Sequence, residues 1–97
     1  MLTQERKAQM IESLKKDYVV LTDIVVEVVA DTKADMLMIE LQAGQTDEMA
    51  KDEKRLLDIK KAYSALYKTN QEKAVDMIEQ IYELSDKYDK LRIAKGL

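Results

Sequence analysis

The chain has 97 residues, 36% of them charged, with 16 basic and 19 acidic side chains for a net charge of −3. It contains no Cys, His, Pro, Phe or Trp and only two glycines. One domain is the most this length supports. Disulfides and thiolate metal sites are excluded, and so are the commonest general base and metal ligand. The near-balance of charge gives no general pull toward nucleic acid or an anionic membrane. With almost nothing to punctuate the chain, long helices are the expectation.

The opening MLTQERKAQM is too polar for a signal peptide, and the apolar stretch Tyr18 to Ala30 is too short to span a bilayer. Cytoplasmic residence is therefore expected. Thr3 is a candidate N-cap for a first helix over about 4–42, with Glu5 in its first turn. Ile11, Leu14, Tyr18, Leu21, Val25 and Val28 recur in steps of three and four, a heptad seam continuing to Thr32 and Met36. Cap-forming residues cluster at Ala30-Asp31-Thr32-Lys33, a candidate break. The β-branched run DYVVLTDIVVEVV also suits a buried strand. A strand needs a partner, however, and only DMLMIEL offers itself; the heptads run through the segment, so helix is the reading.

Gly44 is the one strong interior stop. It suits a left-handed position after a helix C-terminus, and Thr46 suits an N-cap with Asp47 and Glu48 following. A tight turn at 43–46 is predicted. The second helix, about 47–69, carries its seam at Met49, Leu56, Ile59, Tyr63 and Leu66, and the third, about 71–94, at Ala74, Met77, Ile81, Leu84, Tyr88 and Leu91. Residues 68–72 read either as a turn capped by Asn70 or as continuous helix, because an eleven-residue spacing passes through a helix unbroken. The predicted fold is thus all-α: an antiparallel bundle of three helices, with a long helical hairpin as the alternative, completed by dimerisation.

The most informative feature is the width of the apolar surface on the first helix. Val19, Val20, Ile24, Val26 and Val29 fall outside the seam, and only Asp23, Glu27 and Asp31 mark a polar stripe. A helix in a small monomeric bundle needs about three positions in seven facing the core. The five extra apolar residues are therefore assigned to self-association, with a homodimer as the expected state; wrapping by another helix of the same chain is the alternative. Charge is also segregated. Residues 17–53 hold ten acids and two lysines, and residues 54–73 hold six bases and two acids. A turn at Gly44 would bring Asp35 near Lys54, and Glu27 and Asp31 near Lys61.

No constellation points to catalysis or to a cofactor. The acidic row lacks the histidines of helical di-metal sites and the calcium-loop pattern. Ser13, Ser64 and Ser85 have no histidine and no nucleophile elbow, and no glycine loop cradles phosphate. Lys54, Arg55, Lys60, Lys61 and Lys68, with Tyr63 and Tyr67 among them, resemble a nucleic-acid face with stacking rings. The methionines read as core filler. The expected function is a non-enzymatic protein–protein interaction module, an adaptor, assembly factor or small regulator whose partners are itself and another protein. The alternatives are a nucleic-acid-associated protein using residues 54–73, and a small acidic inhibitor of viral or mobile-element type.

Overall fold

The computed structural model describes residues 2–97 and is all-helical: α1 Gln4–Lys16, α2 Val19–Ala43, α3 Asp47–Leu66 and α4 Gln71–Ala94. Each start follows from local chemistry. The Thr3 hydroxyl accepts the Arg6 N–H at 3.0 Å, that of Thr46 accepts Met49 N–H at 3.1 Å, and the Asn70 side chain accepts Lys73 N–H at 3.2 Å. These satisfy donors that a helix N-terminus leaves unpaired. The Asn70 cap decides the ambiguity at 68–72: the chain turns there, and the long hairpin is ruled out.

Four helices form rather than three. The expected helix over 4–42 breaks at Asp17, not at Ala30–Lys33. Asp17 is extended (φ −158°, ψ 111°); its N–H donates to the Ser13 carbonyl at 2.8 Å and its carboxylate accepts the Val19 N–H at 2.9 Å. One residue thereby ends α1 and starts α2. At the expected break the helix runs on because Thr32 is fully buried and returns its hydroxyl to the Val28 carbonyl at 2.8 Å. That bond lets a polar side chain sit inside a helix and a core at once. The β-branched run is helical throughout, since burial against other helices outweighs its modest propensity cost.

Gly44 ends α2 with φ +80° and ψ 166°, its N–H donating to Glu40. The positive φ is as predicted, but ψ lies beyond the left-handed helical well, in a region that glycine alone enters freely.

The four helices run up and down. Gly44 and the Thr22–Tyr63 contact make α3 antiparallel to α2, and the Glu48–Lys87 and Arg55–Gln80 contacts make α4 antiparallel to α3. α1 lies antiparallel along the first half of α4, where Lys7 meets Glu79 at 3.2 Å and Ile11 lies by Val75. α4 is the central helix and touches the other three, whereas α2 and α3 meet less extensively, with Thr22–Tyr63 and Tyr18–Tyr67 in contact at the end away from their turn. Its buried face is accordingly wider than its predicted seam: Val75 and Ile78 join Ala74, Ile81, Leu84 and Tyr88, while Met77 is half-buried and Leu91 partly exposed. The predicted seam of α3 holds from Met49 to Tyr63.

Two tyrosines reach the centre of the core with their hydroxyls paired. Tyr63 meets the Thr22 hydroxyl at 2.9 Å, and Tyr88 donates to Asp52 at 2.6 Å. Such pairing removes the penalty of burying the oxygen while the ring supplies apolar area. No helix among the described residues is long and apolar enough to cross a membrane.

Candidate interaction surface

The outer face of α2 is the site the structure singles out. The core side of this helix is Leu21, Val25, Val29, Thr32, Met36 and Ile39. Leu21, Val25, Thr32 and Met36 keep the predicted seam across the break at Asp17; only Val28, half-buried against the core, gives its place to Val29. Of the five residues assigned to self-association, Val29 is only 2% exposed and belongs to the core, and Ile24 is half-buried against it. Val19, Val20 and Val26 stand in the open, Val20 at 63%.

Three residues outside that assignment complete the surface. Leu37 and Met38 are about half exposed and Leu41 is 79% exposed. With Ala30 and Ala34, also exposed, they extend one stripe: Val19, Asp23, Val26, Ala30, Ala34, Leu37, Leu41, in steps of 4, 3, 4, 4, 3 and 4. Steps averaging 3.67 residues match the α-helix closely, so the stripe runs almost straight for about 33 Å. The spacing is present in the sequence, but beyond Ala30 its apolar residues are sparse beside the dense valine run. The stripe leaves on the order of 500 Å² of surface in water, toward the upper end of the largest apolar patch on a typical monomer, and such patches are often functional.

Charge borders the stripe unequally. Thr22, at Tyr63, marks the edge of α2 facing α3, and Lys33 lies three turns further along that edge. Asp35 marks the other edge. It pairs with Arg92 of α4, Nε to Oδ1 2.9 Å, although the N–H is poorly aligned with the carboxylate. The acidic row winds toward this second edge from Asp23 through Glu27 and Asp31, all exposed and in no ion pair among the described residues. The pairings expected across a Gly44 turn do not form. Asp35 is turned to α4 instead of Lys54, and Glu27 and Asp31 point away from α3 and Lys61.

The basic residues of α3 do not make one platform. Lys54, Lys61 and Lys68 follow an exposed stripe, Arg55 turns toward α4, where it reaches Gln80 at 3.5 Å, and Lys60 is half-buried on the α2 side. Tyr63 is inside the core. The Tyr67 ring is covered by Tyr18 at 4.9 Å and Tyr63 at 5.6 Å, with the Lys68 ammonium 5.3 Å from the Tyr18 ring centre. These rings hold the α2–α3 end together and offer no free face of Tyr63 for a base.

Elsewhere, Asp52 gathers Lys87 at 2.6 Å and Tyr88 at 2.6 Å, and Lys87 also meets Glu48 at 2.7 Å. Burial by itself would raise the Asp52 carboxyl pKa; hydrogen bonds from Lys87 and Tyr88 outweigh it and hold the pKa below the usual value. Burial and the Asp52 carboxylate push the Tyr88 hydroxyl well above its usual range. The hydrogen bonds that Lys87 donates to Asp52 and Glu48 raise its own pKa. This cluster clamps α3 to α4 beside a cleft of about 220 Å³ lined by Ile39, Ala43, Met49 and Leu91. Its polar groups answer one another, and no set of three acidic side chains among the described residues is arranged to hold a metal ion. Comparison with protein-family models, characterised proteins and solved structures finds no match to this chain.

Proposed function

We propose that this chain is a helical protein–protein interaction module, without catalytic chemistry of its own, that associates with itself through the outer face of α2. One observation carries the reading: a straight stripe from Val19 to Leu41, apolar except at Asp23, lies on the longest helix with no other helix over it. Complete burial of a large aliphatic side chain is worth about 1.5–3 kcal/mol, and each of these residues has roughly half or more of that still to gain. The sum is large enough to offset the entropy lost on association. Ala30 and Ala34 in the middle of the stripe let a second helix come close. The basic residues of α3 support nucleic-acid binding less well, because they point in several directions around the helix and Tyr63 is buried.

Size-exclusion chromatography with light scattering tests the proposal. At tens of micromolar the expected mass is twice that of the 11.2 kDa chain. Val26→Glu with Leu37→Glu should return it to the monomer mass with its helical circular dichroism intact. A wild-type monomer at that concentration refutes self-association.

A further inference from the structure

The two edges of α2 carry opposite charge, and this constrains how a second copy can lie on the stripe. One edge is acidic, with Glu27 and Asp31 next to Asp23 on the outer face. The edge toward α3 is basic over the same stretch. Lys33 lies on α2 itself, Lys60 shares an edge of α3 with Tyr63 and Tyr67, which face α2, and Lys68 sits over the Tyr18 ring. The acids on that side, Glu40 and Glu53, lie at the turn end, where Glu53 holds Gln45 at 3.0 Å. There the opposite edge offers neutral Met38 and Gln42.

Two symmetric arrangements bring stripe against stripe. A two-fold axis perpendicular to the helices makes the two α2 helices antiparallel and sets like edge against like edge. Glu27 and Asp31 of both copies would then crowd together, and Arg92 on that border is already held by Asp35 and Asp89. A two-fold axis running along α2 makes the helices parallel and sets unlike edges together. Glu27 and Asp31 then face Lys33, Lys60 and Lys68 of the second copy along both borders, while Asp23, on the stripe itself, lies by its own counterpart at the exposed start of the helix. The acidic and basic rows unanswered within the chain are answered between chains, and the stripe residues meet their own counterparts, Val26 with Val26 and Leu37 with Leu37.

We infer that the occupant of this surface is a second copy of the chain, bound in parallel about an axis along α2, with acidic edge on basic edge. The inference rests on the self-association proposed above. The area fits: with about 500 Å² of stripe plus the charged borders on each copy, the interface reaches the lower range of specific protein pairs, roughly 1,200 Å² in total.

The chain has no cysteine, so single cysteines report the geometry without background. Val26→Cys, Ala30→Cys, Leu37→Cys, Val19→Cys and Leu41→Cys are each oxidised gently and run on non-reducing gels, with circular dichroism to verify folding. A disulfide needs α-carbons within about 7 Å. In the parallel pair Val26→Cys and Leu37→Cys each link to themselves, and a mixture of Val19→Cys with Leu41→Cys forms no mixed dimer, since those positions lie about 33 Å apart along the helix. The second measurement is the dimer dissociation constant between 50 and 500 mM NaCl. It should rise several-fold with salt, and Glu27→Lys with Asp31→Lys should raise it about tenfold at low salt. Efficient self-linking of Ala30→Cys without Val26→Cys or Leu37→Cys, together with Val19–Leu41 mixed links, would establish an antiparallel pair; tighter association at high salt would exclude acidic edge on basic edge. Either result overturns the inference and leaves self-association standing. A monomer by light scattering overturns both.

Discussion

Val26 and Val29 are three residues apart on one helix, yet the structure gives them opposite roles, and alanine at each separates those roles. Val29 is 2% exposed and packs in the core; Val26 is 49% exposed and lies outside it. Val→Ala removes two methylene equivalents, about 1.6 kcal/mol of transfer free energy when fully buried. A partly relaxed cavity adds to this, so Val29→Ala should cost about 2–3 kcal/mol. Val26→Ala loses at most half the transfer contribution and leaves no cavity. In helical terms alanine is the better residue, which offsets part of even that loss. The net effect on the folded monomer is within about 0.5 kcal/mol. Urea denaturation at sub-micromolar concentration, where self-association does not contribute, measures both. With a slope near 1–1.5 kcal/mol/M, Val29→Ala should lower the midpoint by about 1.3–3 M and Val26→Ala by less than about 0.5 M. Light scattering at high concentration should show the reverse order, Val26→Ala weakening the dimer and Val29→Ala leaving it intact wherever the protein stays folded. Equal destabilisation by the two, or selective dimer loss from Val29→Ala, would refute the assignment of inner and outer faces.

Three further outcomes follow from particular contacts. Gly44→Ala meets no atom within 4 Å of the added carbon, so its cost is conformational only; at φ +80° and ψ 166° it should be about 1–3 kcal/mol, read as a fall in Tm with no change in helix content. Thr22→Val strands the buried Tyr63 hydroxyl and should cost about 1–2 kcal/mol, whereas adding Tyr63→Phe should recover part of the loss, which a double-mutant cycle in urea would detect. The Asp52 cluster gives a pH signature. Asp52 is held below its ordinary 3.8, so its stabilisation is present above that pH and fades as pH falls through the lowered value. Lys87 and Tyr88 are raised above 10.5 and 10.0, so their share is complete at neutral pH and fades once pH climbs past about 10. The stability difference between wild type and Asp52→Asn should therefore be flat from about pH 5 to 9 and shrink on both sides; a difference independent of pH would remove the cluster from the argument.

Much of the fold is legible from residues whose effect is local. Thr3, Thr46 and Asn70 cap helices through their own side chains, Gly44 alone tolerates its backbone angles, and Met49 to Tyr63 face one way at helical spacing. None of these depends on where another helix lies. Asp17 acts locally too, but an aspartate inside an unbroken heptad pattern gives no sign that it will end one helix and begin the next.

What the tertiary structure decided depends on position in space. The centrality of α4 widened its buried face to Val75 and Ile78 and drew Asp35 to Arg92 and away from Lys54. Packing put Val29 in the core ahead of Val28 while Leu21, Val25, Thr32 and Met36 kept their predicted places, and only the packed helices show which of the valines on α2 are open. From the sequence alone, α2 is determined to be too apolar for one packed side. Which side is left over, and that its two borders differ in charge, became visible only once α1, α3 and α4 had taken their places, because burial and edge charge belong to neighbours that the order of residues does not specify.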